Sequence, residues 1–275
     1  MSSAGRLHNV ADIQRYARDI RLEVVRMIAL QGQGYVAQGL GAADLFAAIY
    51  FAEMRLDPAD PSWQGRDRFF LSTAHNSAAF HATLAVRGLI ERSALETYCK
   101  DGSTLEINVS ERLGPLVEST SGSLGQGMSV AVGTAVYAKR RGLSHRCYVM
   151  LGDGEMQEGQ VWEAAMSAAN YKLDNLCVVV DLNHMQVEGH TDNAMKMAPV
   201  ADKWRAFGWS VLEIDGHSIP EILGAFEAAR SVKDKPAVII ARTVPGKGVS
   251  AIEGQLSHFM RMSPELAESA LRELA

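Results

Sequence analysis

Cysteine is scarce in this chain: three in 275 residues, Cys99, Cys147 and Cys177, all widely separated. That spacing excludes a disulfide framework, and no Cys-x-x-Cys pair is present to hold zinc. The three read instead as core thiols in a reducing compartment. Long apolar runs are also missing, and no segment approaches the roughly 18 residues of a transmembrane helix. The first residues, Met1 to Arg6, lack the apolar core of a signal peptide, so a cytoplasmic location is expected. Charge is nearly balanced, with 27 Lys and Arg against 32 Asp and Glu and a net charge of −5. Without a basic cluster there is no electrostatic footprint for nucleic acid. No Gly-x-Gly-x-x-Gly follows a strand with an acidic residue about twenty positions later, which excludes dinucleotide binding. Internal repeats and low-complexity linkers are absent too.

What is present is alternation. Ile13, Tyr16, Ala17, Ile20, Val24, Met27 and Ile28 recur at helical spacing and predict an amphipathic helix from Val10 to Leu30. The glycine-rich stretch Gly32 to Gly41 is expected to break it, with an apolar helix following from Ala42 to Phe51. Such a stretch either lets backbone approach a ligand or simply joins two helices. After a turn-rich loop from Pro58 to Gly65, Arg68 to Ser72 reads as a short buried strand. Thr73-Ala74-His75 then leads into a helix ending near Val86, so His75 sits at a strand-to-helix turn, where capping and packing compete with ligand contact. Lys100 to Gly114 is polar and irregular. The Gly/Ser turn Ser119 to Gly127 precedes an alanine-rich helix from Met128 to Lys139, and serves either a phosphate or an N-cap. Beyond the centre, helices from Asp202 to Phe207 and Ile219 to Arg230 alternate with strands from Ser210 to Ile214 and Ala237 to Arg242. The last strand ends in Thr243-Val244-Pro245-Gly246-Lys247-Gly248, a loop carries His258, and a helix from Pro264 to Leu274 closes the chain. This pattern predicts an α/β fold, a parallel sheet with helices on both faces. The length suits one sizeable domain or two small ones, and residues 1–275 are taken as one.

The centre of the chain carries the chemistry. Cys147 to Leu151 reads as a buried strand ending in Gly152-Asp153-Gly154. A helix follows from about Val161 to Tyr171, then a strand from Leu176 to Leu182 ending in Asn183-His184. This is a βαβ unit with polar groups at the carboxyl ends of both strands, the edge where open parallel sheets bind ligands. Asp153 and Asn183 offer one carboxylate and one amide oxygen, hard ligands suited to Mg²⁺ or Ca²⁺. Glycine backbone beside a helix N-terminus suits a phosphate, so the unit reads as a Mg²⁺-diphosphate site.

Gly-Asp-Gly followed about thirty residues later by Asn resembles the thiamine diphosphate (ThDP) binding motif. Gly152-Asp153-Gly154-Glu155-Met156-Gln157-Glu158-Gly159 and Trp162-Glu163-Ala164-Ala165 resemble the transketolase form of it. The likeness runs from the first helix to the end of the chain and covers the N-terminal, diphosphate-binding domain of that family. It implies the ThDP-binding fold and the N-terminal subunit of a split transketolase. Such a subunit takes ThDP and Mg²⁺ as cofactors and needs a partner subunit carrying the pyrimidine-binding and C-terminal domains, in a dimer of heterodimers. The pair would transfer a two-carbon ketol unit from a ketose to an aldose.

By the same resemblance, Asp153, Asn183 and the carbonyl of Met185 hold the metal, and Gly154 contacts the diphosphate. Gly122-Ser123-Leu124 matches a cofactor-binding segment in which Leu124 packs on the cofactor. His75 matches a diphosphate-contacting histidine, His258 matches one shared by cofactor and sugar, and both are the catalytic contacts it implies. Glu158 matches an interface glutamate that links paired active sites. Two positions depart from the family: Tyr35 stands where a substrate-facing His is usual, and Asn108 falls where a second one does. Tyr and Asn hydrogen-bond but do not carry a proton near neutral pH, so an atypical donor or acceptor sugar is implied, with a degraded activity as the competing explanation. Other readings stay open: another ThDP enzyme (1-deoxyxylulose-5-phosphate synthase-like, or a two-chain decarboxylase), or a non-catalytic regulatory subunit.

Overall fold

The computed structural model describes residues 9–255 and 257–275; the stretch from Met1 to Arg6 lies outside the described residues. Helix α1 spans Val10–Gln31. Asn9 caps it by accepting the Asp12 N–H at 2.9 Å, and Gly32, at φ 73°, ends it in the left-handed conformation. Its apolar stripe, Ile13 to Ile28, is buried as the periodicity requires. Strand β1 (Gln33–Gly34) comes next, then α2 (Val36–Ala48), which runs on into a π-helical turn at Ile49–Glu53.

Here the structure corrects the sequence. The expected break over Gly32 to Gly41 ends by Tyr35, and Gly39 and Gly41 lie inside a helix whose every residue is buried. A methyl group at Gly39 would sit 3.1 Å from Val24 Cγ1, and one at Gly41 would sit 2.9 Å from the Val244 carbonyl oxygen. These glycines are there for close packing, which outweighs their low helix propensity.

Strand β2 (Arg68–Leu71) leads through a 3₁₀ turn (Ala74–Asn76) into α3 (Ser77–Arg87). After the irregular stretch come α4 (Gln126–Arg140), β3 (Cys147–Gly152), α5 (Gly159–Asn170) and β4 (Leu176–Leu182). A small hairpin, β5 (Met185–Gln186) with β6 (Gly189–His190), and the one-turn α6 (Thr191–Ala194) follow. The chain continues through α7 (Val200–Ala206), β7 (Ser210–Asp215), α8 (Ile219–Ser231) and β8 (Ala237–Arg242). It closes with β9 (Met260–Arg261) and α9 (Pro264–Leu274).

The main sheet has five parallel strands in the order β2-β3-β4-β8-β7. Alternate residues of its central strands feed two cores. Tyr148, Met150, Cys177, Val179 and Ile239 pack under α1, α2, α3 and α8, while Val149, Leu151, Val178, Val180 and Ile240 pack under α4, α5 and α7. Each fully buried aliphatic side chain contributes ~1.5–3 kcal/mol, so the strands are clamped from both sides. Their register sets Gly152 opposite Asp181 and Leu182 opposite Arg242, which brings three strand ends level.

Cys147 and Cys177 are buried in these strands, as expected, but Cys99 is an exposed free thiol. It lies in the turn just before the irregular stretch, outside the sheet. Among the described residues no helix is long and apolar enough to cross a membrane.

Candidate active site

The level ends of β3, β4 and β8 form one corner of the site. Asp153, the first residue after β3, is 1% exposed. Its Oδ2 accepts from the Thr191 hydroxyl at 3.2 Å, while its Oδ1 is buried with no partner. Burial first, and Asp181 second, push its carboxyl up to about 7. Asp181 is itself buried and raised by burial; it accepts from Thr243, from Asn183 Nδ2 at 2.9 Å and from Asn76 Nδ2 at 3.5 Å. With its amide nitrogen held there, Asn183 turns Oδ1 toward the Met185 N–H, 2.9 Å away. Carboxylate, amide oxygen and Met185 backbone thus crowd into one buried corner. Gly154 closes it, since a methyl there would lie 2.8 Å from Gln186 Cβ and 3.3 Å from the Met185 carbonyl oxygen.

A chain of contacts leads from this corner to the mouth. Gln38, 1% exposed, donates from Nε2 to the His258 carbonyl at 2.7 Å; the same nitrogen lies 3.1 Å from His258 Nδ1 and 3.5 Å from Met185 Sδ. The His258 ring is 5.1 Å from that of His75 and 5.4 Å from that of Tyr35. Phe259 stacks edge-on against Tyr35 at 5.1 Å and is 46% exposed, so the mouth has an aromatic wall. The pairing of β1 with β9 holds these segments together. His75 Nε2 is 2.7 Å from Thr73 Oγ1, and its ring lies 3.6 Å from where a Gly152 methyl would be. It caps no helix. Burial, helped by His258, pulls the imidazole of His75 down to about 3, and burial lowers that of His258 as well.

The Gly/Ser turn approaches from the other side. Gly122 packs beside Asn108, whose Cγ would be 3.5 Å from a methyl at that glycine. Neither Ser121 nor Ser123 caps α4; the cap residue is Gly125, at φ 82°. Ser123 and Asn108 are exposed, and Leu124 is half-buried. Glu155 anchors this turn. Fully buried, it accepts from Ser72 Oγ, from the Gly125 N–H at 2.7 Å and from the Gly152 N–H at 3.1 Å. One carboxylate therefore ties the segments carrying His75, Gly122 and Asp153. Burial pushes it up to about 7. Glu158 is exposed beside it, its N–H on the Glu155 carbonyl at 3.0 Å.

Sequence reasoning missed Gln38, Glu155, Asp181, Asn76 and Thr191. Only Glu155, inside the Gly-Asp-Gly-Glu run, carried a local signal. Nearby, His184, His190 and Asp192 bring ligand atoms within 4.8 Å of one another. The two imidazoles are stacked with planes 11° apart, so their in-plane lone pairs run past each other, and His190 Nδ1 already accepts the Asp192 N–H. That trio does not make a metal site as it stands.

Residues 13–261 match the family model described as transketolase, thiamine diphosphate binding domain. The 6-deoxy-6-sulfo-D-fructose transketolase subunit SqwG of Clostridium sp. (strain MSTE9) is 41% identical over 264 residues, 96% of this chain and 96% of that protein. An apulose-4-phosphate transketolase subunit of Phocaeicola vulgatus is 36% identical over 256 residues, 93% and 91% of the two chains. A crystal structure of transketolase from Campylobacter jejuni superposes with a TM-score of 0.90 at 30% identity, covering 97% of this chain and 43% of that one.

Proposed function

The chain belongs to the transketolase family, in the part that forms its thiamine diphosphate-binding domain, and from that premise we propose that it is the N-terminal subunit of a two-component transketolase. Two relatives of nearly the same length bear the word subunit in their names, which supports a partner polypeptide supplying the rest of each active site. In this reading residues 1–275 form one domain, the assembly is a dimer of heterodimers joined near Glu158, and the protein works in the reducing cytoplasm.

The observation that carries the cofactor reading is the buried Oδ1 of Asp153, left without a partner beside an Asn183 amide already oriented by Asp181. A buried carboxylate oxygen is costly to leave unpaired, and Mg²⁺ takes one or two such oxygens along with phosphate and water. The donor set therefore fits. Asp153, Asn183 and the Met185 carbonyl would hold Mg²⁺; Gly154, Gly122, Ser123 and His75 would hold the diphosphate, with Leu124 against the cofactor. Bound ThDP supplies the nucleophilic carbon and the electron sink for ketol transfer.

The chain's own residues bind, orient and exclude water. His75 and His258, kept uncharged by burial, offer hydrogen bonds to cofactor and sugar. Tyr35 and Asn108 meet sugar hydroxyls as hydrogen-bonding groups without a transferable proton near neutral pH. The substrates are a ketose donor and an aldose acceptor. The test is reconstitution with the partner subunit, ThDP and Mg²⁺ over a panel of such sugars. Two-carbon transfer in the mixture and in neither chain alone is the expected result. ThDP binding without transfer would point to a different ThDP reaction.

A further inference from the structure

Gln38 lies in α2, 220 positions before His258, and its side chain touches both Met185 and His258. The orientation of its amide is fixed by chemistry. The atom 2.7 Å from the His258 backbone oxygen faces a group that can only accept, so it must be the nitrogen. That NH₂ has a second hydrogen, which faces His258 Nδ1 at 3.1 Å and Met185 Sδ at 3.5 Å, and the ring nitrogen is the nearer and stronger acceptor. A donor at Gln38 requires an acceptor at Nδ1, which puts the ring's proton on Nε2. Nε2 has no hydrogen-bond partner among the described residues, and the ring is half-buried between His75 and Tyr35.

We propose that Gln38 is a positioning residue: its amide sets His258 as the Nε2–H tautomer and ties the His258 loop to the Met185 corner, so that His258 meets its ligand as a hydrogen-bond donor through Nε2. This deepens the reading of His258 as a substrate contact and rests on it for the consequence in catalysis. The tautomer itself is a property of this chain alone. A donor at that position polarises a sugar oxygen and does not remove its proton, so proton abstraction falls to another group.

The substitution that isolates this is Gln38→Met, which keeps length and volume but removes the donor. The full chain labelled with ¹⁵N-histidine is compared with its Gln38→Met variant by NMR at pH 8, with a His258→Asn variant identifying the signal. The expected spectrum shows His258 wholly protonated on Nε2 in the parent and as a mixture of both tautomers in Gln38→Met. A parent already mixed, protonated on Nδ1, or indistinguishable from Gln38→Met overturns the proposal, whatever reaction the enzyme catalyses. In the reconstituted enzyme, Gln38→Met is expected to lower kcat/KM for the ketose by roughly 10-fold, the size of one lost hydrogen-bond contribution, with ThDP affinity changed less than about twofold. An unchanged kcat/KM despite a shifted tautomer overturns the positioning role. If no sugar reacts with any partner, the function reading fails while the NMR result still stands.

Discussion

At the corner, Asp153, Asn183 and Met185 lie at or just beyond the ends of β3 and β4, are buried, and are held by hydrogen bonds to Thr191, to Asp181 and between Asn183 and Met185. At the mouth, Tyr35 and His258 come from segments far apart in sequence, stay half-buried, and meet through ring contacts, while Asn108 is exposed beside Gly122. Hydrogen bonds fix directions to within a narrow cone, whereas aromatic edges tolerate sliding. A corner built the first way suits a cofactor of constant shape. A mouth built the second way can be recut for different sugars without disturbing the corner.

The largest expected effect breaks the corner alone. Asp153→Asn should lower Mg²⁺-dependent ThDP affinity beyond the ~100-fold that loss of an outer-shell partner causes. Its fold should survive, since the lost charge is one that burial disfavours. Titration calorimetry on the reconstituted complex measures this, and circular dichroism checks the fold.

Next comes the carboxylate that anchors the Gly/Ser turn to the ends of β2 and β3. Glu155→Ala leaves the Ser72 hydroxyl hydrogen and the N–H groups of Gly125 and Gly152 without an acceptor. At 1–3 kcal/mol for each stranded group, less what water recovers, a loss of ~3 kcal/mol is expected. That corresponds to a melting temperature lower by about 6–12 °C.

Acid should loosen the mouth through a specific group. His81 is fully buried, donates to the Glu106 carbonyl at 3.0 Å, and so holds the loop that carries Asn108. Burial pulls its imidazole down to about 4. The folded pKa lies below the unfolded one, so the stabilisation is complete above pH 6.5 and is lost as pH falls toward 4. Between pH 7.5 and 5 this amounts to roughly 2 kcal/mol. His81→Gln should therefore flatten the pH dependence of urea stability by that much; an unchanged slope would mean that His81 does not couple the mouth to acid.

The smallest effect should be confined to the mouth. Tyr35→Phe keeps the ring contacts with His258 and Phe259 but removes the hydroxyl. It should raise KM for the sugar by up to about 10-fold, with ThDP affinity unchanged. A fall in ThDP affinity would mean that corner and mouth are not separable.

The same contrast governs what could be read from the residues. Asp153, Asn183 and the strands that carry them were legible, because a buried strand, a glycine turn and a helix are local patterns with one sensible chain path. Gln38 was not, because its partner is His258 and nothing about a glutamine in a glycine-rich stretch points across the chain. The start of α2 was missed for a related reason. Gly39 and Gly41 look like helix breakers, and only the nearness of Val24 and Val244 shows them to be packing contacts. Glu155 and Asp181 were passed over because residue type does not distinguish a buried acid with several donors from one on the surface. Cys99 was misjudged as core because it was grouped with two thiols whose strands bury them. Tyr35 and Asn108 stood out as departures from the family pattern, yet Phe259, which completes the wall, did not.

The central claim is that the oxygens at the ends of β3 and β4 hold the metal of a diphosphate cofactor. The most direct measurement is a crystal structure of the reconstituted complex with ThDP and Mn²⁺ in place of Mg²⁺, the ion located by its anomalous scattering. The expected result is one strong peak per chain, bounded by Asp153 Oδ1, Asn183 Oδ1 and the Met185 carbonyl, against the diphosphate. Cofactor bound with no ion there, or with the ion at His184, His190 and Asp192 instead, would contradict it.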